Sequence, residues 1–176
     1  MEAVMNKSIL VCISLVILLT GYIFADVIHV PGDYPTIQAG IDAANAGDLV
    51  LVAPGTYYEE ITLKAEVVVK GAGEGLSIID GGNDPGDVVT AVGNDITNTT
   101  KLQGFTITGA SNSGSMPGGG GIFCNSGAAP EICNNRVEGN DQGIAMWNQS
   151  SAFLHNNVVI DNTYTGIGKF GIEYNQ

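Results

Sequence analysis

The sequence predicts an all-β fold, a solenoid built from short stacked strands. The first indication is a self-similarity at a spacing of 22 residues: residues 121–122 (Gly-Ile) return at 143–144, and residues 134–135 (Asn-Asn) return at 156–157. Periods of this length are typical of stacked supersecondary units that cannot bury their apolar faces alone. The second indication is that the apolar residues come in short β-branched runs rather than in helical stripes.

Residues 1–25 have the layout of a secretory signal peptide. Lys7 precedes an apolar run at residues 9–19 that only Ser14 interrupts, and Ala25 is a small residue at a cleavage position. We therefore expect an exported domain of residues 26–176, secreted to the extracellular space or the periplasm, with no membrane association after cleavage. An uncleaved membrane anchor is the alternative, because residues 8–25 approach the length that spans a bilayer.

The first half of the exported domain is predicted to contain strands and one short helix. The helix, residues 35–45, carries Ile37 and Ile41 on one face, which is the pattern of an amphipathic segment. We expect it to cover the exposed first coil of the stack, whose backbone and apolar side chains would otherwise face water. The strands are expected at residues 27–30, 49–52, 61–63, 67–69 and 78–79.

The second half is predicted to consist of regular coils. Residues 102–110 match residues 132–140 at an offset of 30, and the extra eight residues fit a Gly/Ser-rich insertion at 111–118. Strand alternation places equivalent apolar residues in two inward columns. These columns are Ile107, Val137 and Val159, and Ile122, Ile144 and Ile167.

Paired asparagines mark the corners of these coils. Asn tolerates left-handed backbone geometry, and stacked Asn amides can hydrogen-bond from coil to coil. We interpret Asn134, Asn135, Asn156 and Asn157 as structural residues and not as a polar active site.

Two segments carry a resemblance to known proteins. Residues 28–39 (IHVPGDYPTIQA) and 54–60 (PGTYYEE) resemble the opening of right-handed parallel β-helix proteins of the pectin-lyase-like superfamily, and of pectin methylesterases in particular. The coils at 102–171 resemble the generic parallel β-helix repeats of that superfamily, shared with NosD-like periplasmic proteins. The resemblance covers nearly all of residues 27–176 and implies a right-handed parallel β-helix with a short N-terminal capping helix.

The resemblance also implies carbohydrate chemistry, but the catalytic motifs of the enzymes are missing. Neither GQDTL, DFIFG and GRPW of the methylesterases nor NTDG, GHG and RIK of the polygalacturonases occurs in the sequence. A lyase needs a base and charge stabilisation, and Arg136 beside Glu138 is more typical of a surface ion pair. We expect no catalytic residue in this chain. The alternative is a polysaccharide lyase or hydrolase whose catalytic residues lie in further coils.

Aromatic residues suggest a binding function. Trp147, the single tryptophan, and Phe170 occupy equivalent repeat positions. They form a strip for stacking on sugar rings if they face outward, and part of the core if they face inward. We expect recognition of extracellular or cell-surface polysaccharide, with Arg136 and Tyr164 as further substrate-binding candidates. The remaining alternative is a structural surface or adhesin module.

No metal site is predicted, with Ca²⁺ as the one exception. Residues 80–87 contain Asp80, Asn83, Asp84 and Asp87, whose oxygens suit calcium. Their spacing matches no EF-hand loop, so a solvated corner loop is the favoured interpretation.

The exported domain has two cysteines, Cys124 and Cys133. An exported pair can form a disulfide. However, Cys124 aligns with Met146 in a core-facing position, whereas Cys133 aligns with His155. We therefore favour a buried free thiol at 124 and an exposed one at 133, and the pair lacks the spacing of a metal site.

The net charge of −12 limits the partners. It is unchanged by removal of residues 1–25, because Glu2 and Lys7 cancel. Nucleic-acid binding requires a basic footprint, which this chain lacks.

Residues 172–176 would begin a further strand with no cap behind it, so we expect the domain to be incomplete at its C-terminus.

Overall fold

The computed structural model of the protein describes residues 25–112 and 119–170. Residues 1–24 of the predicted signal peptide, most of the predicted insertion and the last six residues lie outside the described residues. Within them the chain forms one helix and a series of short strands. The elements are β1 (Val27–Val30), α1 (Ile37–Ala43), β2 (Leu49–Val52), β3 (Gly55–Tyr58), β4 (Ile61–Thr62), β5 (Val68–Lys70), β6 (Ser77–Asp80), β7 (Val89–Val92), β8 (Lys101–Gln103), β9 (Thr106–Thr108), β10 (Gly120–Asn125), β11 (Glu131–Cys133), β12 (Arg136–Glu138), β13 (Gln142–Trp147), β14 (Phe153–His155), β15 (Val158–Ile160) and β16 (Thr165–Phe170).

The strands assemble into three parallel sheets, and the chain visits them in turn. Sheet A has the order β1-β2-β5-β8-β11-β14, sheet B the order β3-β6-β9-β12-β15, and sheet C the order β4-β7-β10-β13-β16. From β2 onward each coil adds one strand to every sheet, whereas the first coil adds only β1, to sheet A, before the helix. This arrangement confirms the predicted all-β parallel β-helix.

The apolar core fills the space that the three sheets enclose. The register pairs Ile107 with Val137 and Val137 with Val159, and it pairs Ile122 with Ile144 and Ile144 with Ile167. Both predicted inward columns are therefore confirmed. Their side chains are fully buried as far as Val137 and Ile144, whereas Ile167, in the last described coil, is 55% exposed.

The helix covers the first coils, as predicted, although it is shorter than residues 35–45. It begins after Thr36, whose hydroxyl accepts a hydrogen bond from Ala39 N at 3.2 Å. Ile37 and Ile41 are buried in the core. A Cβ on Gly40 would lie 3.0 Å from the Val30 side chain, so glycine allows the helix to pack closely on the strands.

Charged side chains hold both ends of this helix. The Glu59 carboxylate accepts hydrogen bonds from Ile37 N and Gln38 N, each at 2.9 Å. At the other end, Lys64 Nζ donates to the carbonyl oxygens of Asp42 and Ala44. Both pairings satisfy free backbone groups at the helix ends and complement the helix dipole.

The asparagine corners are confirmed in detail. Asn134 and Asn156 have φ of 55° and 54°, in the left-handed region. Asn135 Oδ1 accepts from Phe105 N at 3.1 Å, and Asn157 Oδ1 accepts from Asn135 N at 3.1 Å. Each amide therefore bonds the backbone of the preceding coil.

A second asparagine ladder was not predicted. Asn140 Oδ1 accepts from Ala110 N at 3.0 Å, and Asn162 Oδ1 accepts from Asn140 N at 3.1 Å.

Strand β3 was not predicted either, because residues 53–55 (Ala-Pro-Gly) have the composition of a turn and conceal the strand that begins at Gly55.

In the described part of the chain, no helix is long and apolar enough to cross a membrane.

One carboxylate at the N-terminal end is held by two backbone donors. Asp48 is 2% exposed and accepts hydrogen bonds from Asn45 N at 2.7 Å and from Asp26 N at 2.8 Å. The hydrogen bond from Asn45 N and then the one from Asp26 N lower the pKa of Asp48. Because the folded-state pKa is lowered, the stabilisation is present above the unfolded-state pKa of about 3.9 and is lost as the pH falls.

We expect Asn135→Ala to lower the free energy of unfolding by roughly 2–4 kcal/mol, because it removes partners of buried backbone groups. The substitution leaves Phe105 N without its acceptor and Leu102 O without the amide donor at 3.0 Å. Urea denaturation measures the change. Asn98→Ala, at an exposed turn position, is the control; equal effects of the two substitutions would contradict the ladder's role.

We expect Asp48→Asn to destabilise the fold at pH 7 and to have a smaller effect at pH 3. Protonation of Asp48 in the wild type removes the same ionised acceptor that the substitution removes, so the two proteins converge in acid. Denaturation midpoints at both pH values test this, with Glu74→Gln, at an exposed position, as the control. A difference that grows towards pH 3 would show that the sign is wrong.

Candidate metal centre

Three-residue strands create a site on the outer face of sheet A. In β8, β11 and β14 the central residues, Leu102, Ile132 and Leu154, point toward the core. The flanking residues therefore point outward. The register aligns them in two outward columns: Lys101, Glu131 and Phe153 in one, and Gln103, Cys133 and His155 in the other.

Three of these side chains bring metal-ligand atoms together. His155 Nε2 lies 3.2 Å from Glu131 Oε1, and Cys133 Sγ lies 3.9 Å from the same oxygen. The three donor atoms all lie within 4.8 Å of one another. In the described ranges, 25–112 and 119–170, these residues form the one group of three or more His, Cys, Asp or Glu side chains that can hold a metal ion in this way.

Neighbouring side chains orient two of the donors, Glu131 and His155. Lys101 Nζ lies 2.8 Å from Glu131 Oε2. Asn156 Nδ2 lies 3.4 Å from His155 Nδ1, on the side of the imidazole opposite Glu131. The Phe153 ring packs against the imidazole with centroids 5.4 Å apart. Partners of this kind fix the orientation of ligand side chains in metal sites.

The protonation states follow from these contacts. Hydrogen bonds from Lys101 and then from His155 hold the pKa of Glu131 below its usual range, so the carboxylate is ionised. Burial, followed by the negative charge of Glu131, raises the pKa of the Cys133 thiol. A cation would therefore bind an ionised carboxylate and displace a proton from the thiol.

The donor set suits a soft or borderline metal ion. Ligand atoms around a tetrahedral ion with bonds of about 2.0–2.3 Å lie roughly 3.5 Å apart. Two of the donor spacings, 3.2 Å and 3.9 Å, are near this value, and the third is at most 4.8 Å. Thiolate and imidazole favour copper and zinc, whereas calcium prefers oxygen ligands alone. The residues present therefore fit copper or zinc, which Cys133, His155 and Glu131 would hold.

The structure corrects the expectation for Cys133. Its side chain points outward, but the residue is only 2% exposed, because Gln103 Oε1 and Glu131 Oε1 lie 3.7 Å and 3.9 Å from the sulfur and the His155 ligand nitrogen lies within 4.8 Å. Cys124 is buried in the core, as expected, and both thiols are free, so the two cysteines form no disulfide. Burial raises the pKa of Cys124 to about 12.

The sequence did contain a signal for this site. Cys133 and His155 are 22 residues apart, which is one coil, and the repeat aligns them. Residues one period apart become direct neighbours on adjacent parallel strands, about 4.8 Å from each other. A search for ligand residues one period apart would have found the pair. The contribution of Glu131 depends on its rotamer and could not be predicted.

The structure separates the four residues predicted to bind sugar. Arg136 points outward from sheet B with its Nε 2.6 Å from Glu138 Oε2, in the ion pair expected from the sequence. Trp147 and Phe170 are paired neighbours on sheet C, with centroids 5.1 Å apart. Tyr164 is 72% exposed at the corner between sheets B and C. The aromatic pair is thus brought together, but Arg136 lies on a different sheet.

Two carboxylates of the 80–87 loop accept hydrogen bonds from backbone N–H groups. Asp80 Oδ1 accepts from Gly82 N at 2.8 Å, and Asp87 Oδ1 accepts from Gly120 N at 2.7 Å. Burial raises the pKa of Asp87. These contacts are typical of a structured corner. The donor chemistry favours the Cys133 cluster over this loop as the metal site.

The fold and the cluster define a parallel β-helix protein with a candidate metal centre. The sequence matches the family described as periplasmic copper-binding protein (NosD) over residues 44–176, and the chain belongs to that family. No curated protein matches the sequence. The periplasmic description confirms the predicted location outside the cytoplasm. The description of the family as copper-binding agrees with the donor set of the cluster. It differs from the sequence-based expectation, which was no metal site, with calcium as the one candidate ion.

Proposed function

We propose that this protein binds copper in the periplasm through Cys133, His155 and Glu131. The observation that carries the proposal is the convergence of a thiol, an imidazole and a carboxylate within 4.8 Å on one face of a rigid sheet. The description of the family as copper-binding supports the choice of metal.

The architecture suits reversible binding. Cys133 and His155 come from adjacent strands, and Glu131 lies two residues before Cys133, so backbone pairing sets the spacing of all three. The outer side of the cluster faces solvent, since the side chains of Glu131 and His155 are 18% and 37% exposed. An ion could therefore enter without rearrangement of the fold, and a further ligand or water could complete its coordination.

A bound metal ion would take the place of two protons, one on Cys133 and one on His155. His155 Nε2 and Glu131 Oε1 lie 3.2 Å apart and share one hydrogen bond. Cys133 carries a thiol proton, because the pKa of its side chain is raised. When bound, copper would supply a positive charge in place of the Cys133 thiol proton and of the proton at His155 Nε2, the neutral imidazole then carrying its proton on Nδ1, while Lys101 keeps the carboxylate in place.

We expect Cys133→Ser and His155→Ala each to lower the Cu(I) affinity at least ~10-fold, since even outer-shell partners contribute about 10- to 100-fold. Competition with a coloured Cu(I) chelator under reducing conditions measures the affinity. Cys124→Ala and His29→Ala are matched controls, because Cys124 lies in the core and His29 lies on β1 at the far end of sheet A. An unchanged affinity in Cys133→Ser would mean that copper binds elsewhere.

Polysaccharide recognition is the second candidate function. It is the function that membership of the pectin-lyase-like superfamily would imply. It is supported by the position of Trp147 and Phe170, which project from the outer face of sheet C, away from the column of Ile144. The two rings lie 26° from parallel at 5.1 Å, close to the strand spacing of about 4.8 Å. Each ring therefore gives one face to the other, which leaves less flat surface for a sugar and makes copper binding the stronger proposal.

We expect Trp147→Ala to abolish any selective signal on a glycan array if the aromatic strip binds sugar, because the indole would supply the stacking surface. Phe153→Ala is the control, since Phe153 is 60% exposed on sheet A. Binding that survives Trp147→Ala, or that is lost equally in both variants, would rule out the strip as the sugar site.

A further inference from the structure

Lys101 reaches the candidate metal centre from the preceding coil. Its Nζ lies 2.8 Å from Glu131 Oε2, whereas Glu131 Oε1 lies 3.2 Å from His155 Nε2. One oxygen of the carboxylate therefore faces the Lys101 ammonium group, and the other faces the metal-binding side of the cluster. Lys101 contacts the centre through Glu131, so it is a positioning residue and not a metal ligand.

Glu131 is the sole carboxylate among the outward residues of the sheet A strands. Although the chain has a net charge of −12, this face carries two lysines and one glutamate. The outward residues are Val27, His29, Leu49, Leu51, Val68, Lys70, Lys101, Gln103, Glu131, Cys133, Phe153 and His155. No second acid on these strands offsets the charge of Lys101.

The charge count at the centre then depends on Lys101. The Cys133 thiolate and the Glu131 carboxylate each contribute one negative charge, and neutral His155 contributes none. Lys101 cancels one of the two. A monovalent ion makes the centre neutral, whereas a divalent ion leaves it with one excess positive charge. Without Lys101 a divalent ion would give neutrality and a monovalent ion would leave one excess negative charge.

We propose that Lys101 determines the metal specificity of the centre by favouring Cu(I) over divalent ions. The inference rests on the proposed copper-binding function and specifies the oxidation state of the ion. Each metal is repelled by the Lys101 ammonium in proportion to its charge, so the divalent ion is penalised more. Because Lys101 is 37% exposed, solvent screening limits the effect to the order of tenfold in relative affinity.

The test compares the wild type with Lys101→Gln and Lys101→Arg. Glutamine keeps a donor for Glu131 but removes the charge, and arginine keeps the charge. Cu(I) affinity is measured by chelator competition. Divalent affinity is measured with Co²⁺, which is not reduced by the thiol and reports thiolate binding through its charge-transfer absorption. Thermal unfolding of the metal-free variants confirms that the fold is retained.

We expect Lys101→Gln to raise the Co²⁺ affinity relative to the Cu(I) affinity on the order of tenfold, and Lys101→Arg to leave the ratio near that of the wild type. An unchanged ratio in Lys101→Gln, or equal changes in both variants, would overturn the role of Lys101 while the copper site stands. Absence of Cys133-dependent Cu(I) binding in the wild type would overturn both the inference and the proposed function.

Discussion

In-register pairing between successive coils is the constraint on which the structure depends. Each strand pairs with the equivalent strand one coil earlier, so a side chain lies beside its repeat partner in every sheet. A slip by one residue would turn the Ile107-Val137-Val159 column out of the core. The Asn135 and Asn140 amides reinforce the register, since each bonds the backbone of the preceding coil. Apolar burial and hydrogen bonding thus favour the same alignment.

The same register that builds the core also builds the metal centre. Strands of three residues place one side chain inside and two outside, so sheet A displays two straight columns of outward residues. Cys133 and His155 become neighbours because they occupy the same column in adjacent coils. The backbone of a packed sheet holds them, which gives a more defined spacing than flexible loops would give. A scaffold whose coils are interchangeable can acquire a ligand pair by two substitutions one period apart.

Much of the architecture could be predicted from the residues, because repeat spacing and alternation report backbone geometry directly. The strands at 27–30 and 49–52 were predicted with their observed bounds. The inward position of Cys124 and the left-handed corners at Asn134 and Asn156 followed from the same pattern. By contrast, β3 was hidden, because residues 53–55 carry the signal of a turn.

The candidate site was harder to predict, because it depends on side-chain contacts between coils. Strand alternation correctly predicted that the Cys133 side chain points outward. The expected solvent exposure was wrong, because Gln103 and Glu131 cover the sulfur. The ion pair of Lys101 with Glu131 links residues 30 positions apart across an insertion that breaks the 22-residue spacing. The aromatic residues drew attention in the sequence for their chemistry, whereas the ligand residues are individually ordinary and acquire significance only in register.

X-ray diffraction from crystals of the copper-loaded protein, recorded on both sides of the copper absorption edge, tests the central claim most directly. The copper site proposed here predicts one anomalous peak on the outer face of sheet A, bounded by Cys133 Sγ, His155 Nε2 and Glu131 Oε1. A copper peak elsewhere, with this cluster retaining the hydrogen bond between His155 and Glu131, would contradict it.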